Sequence, residues 1–201
     1  MPVGFTKEQS DSIESNLLII GRQLFIKYGY KQVGVREITN EVGISSGMFY
    51  KFYQSKDDLF FSILQIEQEQ IRIKILDKMM AYKDCPVTAL NNFYYIIVEE
   101  LKNNPLMKTI LIKKEYDTIN SKVTKEKKSD ENQQSFNHLM ELITYWKQNH
   151  LICKIDIHLV LQSLRALVLL WFHQDDIGEE QFPLVMKFLI DRVCDYVAIK
   201  E

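Results

Sequence analysis

Glycine and proline are scarce over most of this chain. Its 201 residues include seven glycines and four prolines. No glycine lies between Gly47 and Gly178, and no proline lies between Pro105 and Pro183. A sheet of short strands needs many turns, and turns rely on Gly, Pro, Asn and Asp. The scarcity therefore argues against a β-rich fold and predicts an all-α protein built mostly from long helices.

Paired cysteines, long apolar runs and an excess of positive charge are also missing. Cys85, Cys153 and Cys194 lie far apart without a CxxC pair, which argues against a zinc site and a disulfide framework. The longest apolar run, residues 166–172, is far shorter than the roughly 20 residues of a membrane span. The first residues contain no apolar signal-peptide core, so we expect a cytoplasmic protein with no membrane partner. A net charge of −2 excludes histone-like bulk binding of nucleic acid but leaves room for a local contact surface.

Motifs of catalysis are absent as well. The sequence contains no HExxH, no GxSxG and no glycine-rich phosphate loop. Its four histidines, His138, His150, His158 and His173, fall in the last third without the spacing of metal ligands. We therefore expect a protein that is not an enzyme, with no catalytic residues, no metal and no cofactor.

The first 55 residues differ from the rest, because five of the seven glycines lie within residues 21–47. Apolar spacing predicts a helix over 10–28 and two short helices over 35–42 and 46–53. Gly43 can make a tight corner between the short helices, and Ser45 is a good N-cap for the third. A short helix, a three-residue corner and another short helix form the plan of a helix-turn-helix. A generic helical corner, common in all-α proteins, is the alternative.

The residues of the third helix favour DNA binding. A recognition helix presents its N-terminal residues to base edges in the major groove, and here that end is small and polar. Behind it, Tyr50 and Lys51 offer a phenol and a cation to phosphate oxygens, while Met48 can make only an apolar base contact. The residues that we predict to contact DNA are Arg36, Ser45, Ser46, Gly47, Met48, Tyr50, Lys51, Tyr53 and Lys56.

The segment from Leu24 to Leu59 resembles the N-terminal DNA-binding domain of the TetR (tetracycline-repressor) family of bacterial transcriptional regulators. The matching features include Phe25, Gly29-Tyr30, Val35, Ile38, Gly43-Ile44-Ser45, Gly47, Phe49-Tyr50 and Ser55-Lys56. The resemblance implies an all-α homodimer with an N-terminal helix-turn-helix domain, residues 1–55. It also implies a C-terminal helical domain, residues 56–201, for dimerisation and effector binding. The expected function is a ligand-responsive regulator, a repressor that a small molecule releases from its operator, with double-stranded DNA, a second copy and an unidentified effector as partners.

The local charge provides a test of this hypothesis. Residues 1–60 contain seven cations and seven anions, a weak electrostatic signal for a DNA-binding domain. Three of the cations, Arg36, Lys51 and Lys56, nevertheless fall on the segment expected to face DNA. The alternative is a helical protein-interaction adaptor that no longer binds DNA, which the weak positive charge and Met48 would suit.

Later helices are predicted over 56–82, 86–103, 132–149 and 156–173, with short helical pieces from 105 to 118 and a final helix after Phe182. The apolar stripe on the last helix is either core of the single chain or half of a four-helix interface between two chains. The predicted interface residues are Val168, Phe182, Val185, Met186, Leu189 and Val193.

An effector pocket is expected among aromatic or amphipathic residues of the C-terminal region, each of which could instead be core. The candidates are Phe93, Tyr94, Tyr116, His138, Trp146, Arg165 and Trp171. Arg165 interrupts an apolar helix, so we expect it to be buried with a partner. That partner would be a carboxylate across the dimer or an anionic ligand.

Overall fold

The computed structural model describes residues 6–122, 140–152 and 155–198 of the chain, and all regular secondary structure in these ranges is helical. The helices are α1 Lys7–Tyr28, α2 Val35–Val42, α3 Ser46–Phe52, α4 Lys56–Met80, α5 Pro86–Asn103, α6 Pro105–Ile112, α7 Tyr116–Lys122, α8 140–148, α9 Ile157–Phe172, α10 Gln174–Ile177 and α11 Phe182–Val197. The all-α prediction is confirmed. None of the described helices combines the length and the apolarity that crossing a membrane requires.

The chain divides into two compact units. The first contains the described residues up to Glu69 together with α6 and α7, and the second contains residues 70–103 and the described residues from 140 onwards. The first unit thus reaches beyond the predicted boundary at residue 55. Its additional members are the start of α4 and the segment 104–122, which follows α5 in the chain.

An apolar centre holds α1, α2, α3 and the start of α4 together in the first unit. Leu17, Phe25, Ile38, Phe49 and Leu59 are fully buried, and burying a side chain of this size contributes about 1.5–3 kcal/mol. The helix α1 begins three residues before its predicted start. The reason is a capping box, in which the Thr6 hydroxyl accepts from the Gln9 N–H and the Gln9 side chain accepts from the Thr6 N–H.

The second unit is built on α5, α9 and α11, which pack against one another. Trp146 of α8 and Trp171 of α9 are both 1% exposed, and the Trp146 Nε1–H donates to the Lys83 carbonyl at 2.6 Å. Although α9 is largely apolar, it is not buried on all sides, because Leu159 is 52% exposed and Arg165 is exposed as well. Residues 132–139 of the predicted helix 132–149 lie outside the described residues.

Candidate nucleic-acid interface

The corner between α2 and α3 is tight because Gly43 adopts a left-handed conformation. Its φ is 79° and its ψ is 32°, a region that a side chain disfavours. The N–H groups of Gly43 and Ile44 both donate to the Thr39 carbonyl, at 2.9 and 3.0 Å. At the other end of α2, the Gly34 N–H donates to Glu37 Oε2 at 3.0 Å. Both ends of this short helix are therefore satisfied locally, and only three residues separate the end of α2 from the start of α3.

Ser45 and Phe49 fix the start and the orientation of α3. Ser45 Oγ accepts a hydrogen bond from the Met48 N–H at 3.2 Å, as expected of an N-cap. Phe49 is fully buried, and its ring lies 6.1 Å from that of Tyr53 and 5.4 Å from that of Tyr50. With Phe49 pointing into the core, the opposite side of α3 faces outward.

This outward surface, which we call the α3 face, consists of exposed residues from α3, its N-cap and α2. Its members are Arg36, Ser45, Ser46, Gly47, Tyr50 and Lys51. Tyr50 is 57% exposed, so its hydroxyl is free to reach a neighbouring molecule. A Cβ built on Gly47 would have no neighbour nearer than Ser45 Oγ at 3.9 Å, so the surface is open there. Met48 is half-buried at its edge.

Tyr53 and Lys56, two of the residues predicted to contact DNA, have different roles. Tyr53 is only 8% exposed, and burial, helped by the charge of Glu14, raises its pKa to about 12. The expectation of an exposed Tyr53 is therefore wrong. The Lys56 ammonium donates to the Tyr30 carbonyl at 2.8 Å and lies 4.4 Å from the centre of the Tyr30 ring. Burial lowers the pKa of Lys56, and its charge serves the fold.

The candidate effector residues do not form one group. Tyr94, Trp146 and Trp171 are buried in the second unit, and Phe93 there is half-buried. Burial raises the pKa of Tyr94 to about 12. Tyr116 belongs instead to α7 of the first unit.

The expectation of a buried Arg165 is wrong, because this side chain is exposed on α9. His138 lies outside the described residues.

The predicted interface residues also separate into two sets. Phe182 and Met186 are 7% and 1% exposed, so they belong to the core of the second unit and the expectation that they face a second chain is wrong. The other four, Val168, Val185, Leu189 and Val193, are half-buried. Larger exposed apolar side chains occupy the same two helices, namely Leu159 and Leu169 on α9 and Leu184 and Phe188 on α11. We call these four side chains the outer apolar set.

Two buried carboxylates of the first unit were missed by the sequence analysis. Glu67 is 2% exposed and accepts hydrogen bonds from Arg22 of α1 and from Asn104, the N-cap of α6. Glu115, also 2% exposed, accepts from two backbone N–H groups after α1. Their partners lie 37 to 85 residues away in the chain, so no local signal points to them.

Within residues 6–122, 140–152 and 155–198, no three His, Cys, Asp or Glu side chains come together in a way that could hold a metal ion.

Known proteins share this arrangement. Residues 18–63 match the family model described as bacterial regulatory proteins, tetR family. The HTH-type transcriptional regulator AcrR of Shigella flexneri is 24% identical over 115 residues, which cover 55% of this chain and 54% of that protein. The HTH-type transcriptional regulator QacR of Staphylococcus aureus is 30% identical over 94 residues, which cover 42% and 49%. The chain thus spans about half the length of these relatives.

The fold is similar over a longer stretch. A solved structure of a TetR-family transcriptional regulator from Mesorhizobium loti superposes with a TM-score of 0.65, covering 97% of this chain and 100% of that one. At 14% identity this likeness concerns the fold alone. The matched residues 18–63 contain the whole corner from α2 to α3. Residues 18–63 of this chain are therefore similar to the tetR family of bacterial regulatory proteins, and its fold is similar to that of a solved TetR-family regulator.

Proposed function

We propose that this protein is a ligand-responsive DNA-binding transcriptional regulator that works as a homodimer. The observation that carries the proposal is the α3 face. It presents a phenol, three small residues and the cation Lys51 on α3 and its N-cap, with a second cation, Arg36, on α2, all within the segment that matches the family. Such a helix in the major groove of duplex DNA would direct Ser46 and Gly47 to base edges.

Different side chains of the α3 face are proposed to contact the phosphates and the bases of DNA. Phosphate contacts set position and supply most of the affinity, and base contacts supply specificity. We assign the phosphates to Arg36, Tyr50 and Lys51. Met48 would meet an apolar base group such as a thymine methyl. Lys56 is left out because its ammonium already binds the Tyr30 carbonyl.

A second copy of the chain is the partner that we propose for α9 and α11. A single recognition helix reads only a few base pairs, whereas two helices about 34 Å apart read two half-sites. The outer apolar set supports an isologous interface, because four large apolar side chains are 39% to 64% exposed on two helices that pack together. The half-buried Val168, Val185, Leu189 and Val193 would line its margin.

An effector would act through the second unit. We propose that a small molecule binds near Phe93 and Tyr94 of α5 and favours a state in which the two α3 faces no longer match their half-sites. The helix α4 supports this coupling, since its residues 56–69 belong to the first unit and its residues 70–80 to the second. A coupling free energy of about 1–3 kcal/mol, or roughly 5- to 150-fold in affinity, would suffice. The protein would then be a cytoplasmic repressor.

The hypotheses of a protein-interaction adaptor and of an enzyme have less support. The adaptor hypothesis gains nothing from the fold or from the comparisons. An enzyme is disfavoured because the relatives are transcriptional regulators.

Titration of labelled DNA from beside the protein's own gene tests the proposal. We expect binding whose logarithmic salt slope is about −2 to −4 per half-site, since few phosphates are neutralised. The variant Lys51→Ala should weaken binding and flatten the slope by about one. The matched control Lys147→Ala removes an exposed lysine from α8 and should change neither. An affinity that is independent of salt, or equal losses in both variants, would contradict the proposal.

A further inference from the structure

The carboxylate of Glu115 closes a turn that lies far away in the sequence. Glu115 sits between α6 and α7 and is 2% exposed. Its Oε2 accepts a hydrogen bond from the Tyr30 N–H at 2.9 Å, and its Oε1 accepts one from the Lys31 N–H at 3.0 Å. Both N–H groups belong to the turn between α1 and α2, beyond the Gly29 cap of α1. The segment 104–122 thus supplies the acceptors for this turn.

The backbone around Glu115 holds the carboxylate in place. Its N–H donates to the Ile110 carbonyl and its own carbonyl accepts from the Ile119 N–H, both at 3.0 Å. On the other side, Gly29 has a φ of 86°, and a Cβ there would lie 3.1 Å from Glu115 Oε1. A side chain at Gly29 would therefore be strained and would crowd the carboxylate.

Two further polar contacts join the segment 104–122 to the same part of the first unit. Thr109 Oγ1 lies 3.0 Å from the Ile26 carbonyl, near the end of α1, and 3.0 Å from the Pro105 carbonyl of its own helix, so its one proton is shared between these two acceptors. The Lys122 ammonium donates to Asp57 Oδ2 at 3.0 Å, and the other oxygen of Asp57 accepts from the Tyr30 hydroxyl. The turn after α1 is consequently held at its backbone and at its aromatic side chain.

We propose that Glu115 is a positioning residue for DNA binding, in that it fixes the α1–α2 turn and through it the placement of the α3 face. This inference rests on the proposed function. A carboxylate that accepts two N–H groups makes charge-assisted hydrogen bonds, which are stronger than neutral ones. Without them, the turn that leads into α2 can adopt several conformations, and only some of them present α3 in the geometry that DNA requires.

The test compares Glu115→Gln with Glu115→Asp in the full chain. A glutamine keeps one acceptor oxygen but opposes the second N–H with its own NH₂ group. We expect Glu115→Gln to bind a selected operator about tenfold more weakly and to speed amide exchange at Tyr30 and Lys31, with exchange in α9 unchanged. Glu115→Asp, which keeps the charge, should recover most of the affinity. The control Glu179→Gln removes an exposed carboxylate and should match the wild type.

The outcomes separate this inference from the proposed function. If the wild type binds its operator and folded Glu115→Gln binds it equally well, the inference fails and the proposed function stands, even if the melting temperature falls. If the wild type selects no duplex, the proposed function fails and the inference fails with it. If Glu115→Gln does not fold, the operator affinity of Thr109→Val is measured instead. This variant removes one contact to α1, and affinity about threefold weaker supports the inference, whereas unchanged affinity overturns it.

Discussion

At the scale of single residues, the first unit depends on charged groups that are partly buried and paired. Asp57 accepts from the Tyr30 hydroxyl and from the Lys122 ammonium. Burial opposes the charged form of Asp57, but these two hydrogen bonds, together with the charges of Lys122 and Lys56, outweigh it and lower its pKa below the ordinary value. Burial and the same Asp57 hydrogen bond raise the pKa of Tyr30 to about 12, so Tyr30 stays a donor at neutral pH. The ionised carboxylate is therefore the stabilising form.

The variant Asp57→Asn tests this assignment through pH. A group with a lowered folded-state pKa stabilises the fold above its unfolded pKa of about 4 and loses that effect as pH falls through the folded pKa. We expect the variant to unfold with about 1 kcal/mol less free energy at pH 7. The difference from the wild type should shrink below about pH 4. Urea unfolding at both pH values measures it, with exposed Asp11→Asn as the control, and a difference that is constant with pH would contradict the assignment.

Residues whose environment depends on tertiary packing escaped the sequence analysis. Tyr53 was expected beside Tyr50 on the DNA-facing side, yet it is buried beside Phe49. Arg165 was expected to be buried because its helix is apolar, yet it is exposed. Glu115 attracted no attention because its partners are 84 and 85 residues away. The side of a helix that the fold covers decided the first two cases, and partners distant in the sequence decided the third.

At the scale of elements, local chemistry made prediction reliable. The bounds of α2 and α5 agree with the prediction, because Gly34, Gly43 and Pro86 mark their ends directly. The start of α1 was missed although the capping pair of Thr6 and Gln9 is visible in the sequence. The corner between α2 and α3 was predicted correctly, since Gly43 and Ser45 specify it without help from the rest of the chain.

A pair of glycine variants separates folding from binding in the α2–α3 corner. Gly43→Ala forces a side chain into a left-handed conformation and should lower the free energy of unfolding by about 1–2 kcal/mol. Gly47→Ala meets no neighbour within 3.9 Å and should raise it by up to about 1 kcal/mol, because alanine favours helix. Its methyl group would nevertheless crowd the DNA, so operator affinity should fall. Urea unfolding and DNA titration measure both effects, and a stabilised Gly47→Ala with full affinity would show that Gly47 does not approach DNA.

At the scale of the whole molecule, the proposed recognition of DNA requires two copies of the chain. The outer apolar set leaves Leu184 64% and Phe188 60% exposed on α11, and the Arg192 guanidinium lies 5.5 Å from the Phe188 ring centre. Exposed apolar side chains that recur along a helix are typical of surfaces that another chain covers. Two copies would also supply the second α3 face that specific binding requires.

The variant Phe188→Asp should therefore be monomeric at micromolar concentration, because it places a charge at the centre of the proposed interface. Its operator affinity should fall more than tenfold, since one half-site alone is then bound. The control Ile112→Glu changes a side chain that is 68% exposed on α6 of the first unit and should stay dimeric. Sedimentation measures the oligomeric state of both variants, and a dimeric Phe188→Asp would rule out this interface.

Selection of binding sites from random duplex DNA by the full chain is the decisive experiment for recognition of DNA by two α3 faces. We predict enrichment of a two-fold symmetric sequence whose half-sites are centred about 10 base pairs apart or a multiple of that, because two α3 faces enter successive major grooves. Enrichment should be lost with Lys51→Ala and kept with Lys147→Ala. A selection that enriches no duplex, or one whose enriched sequences lack symmetry, would contradict the account.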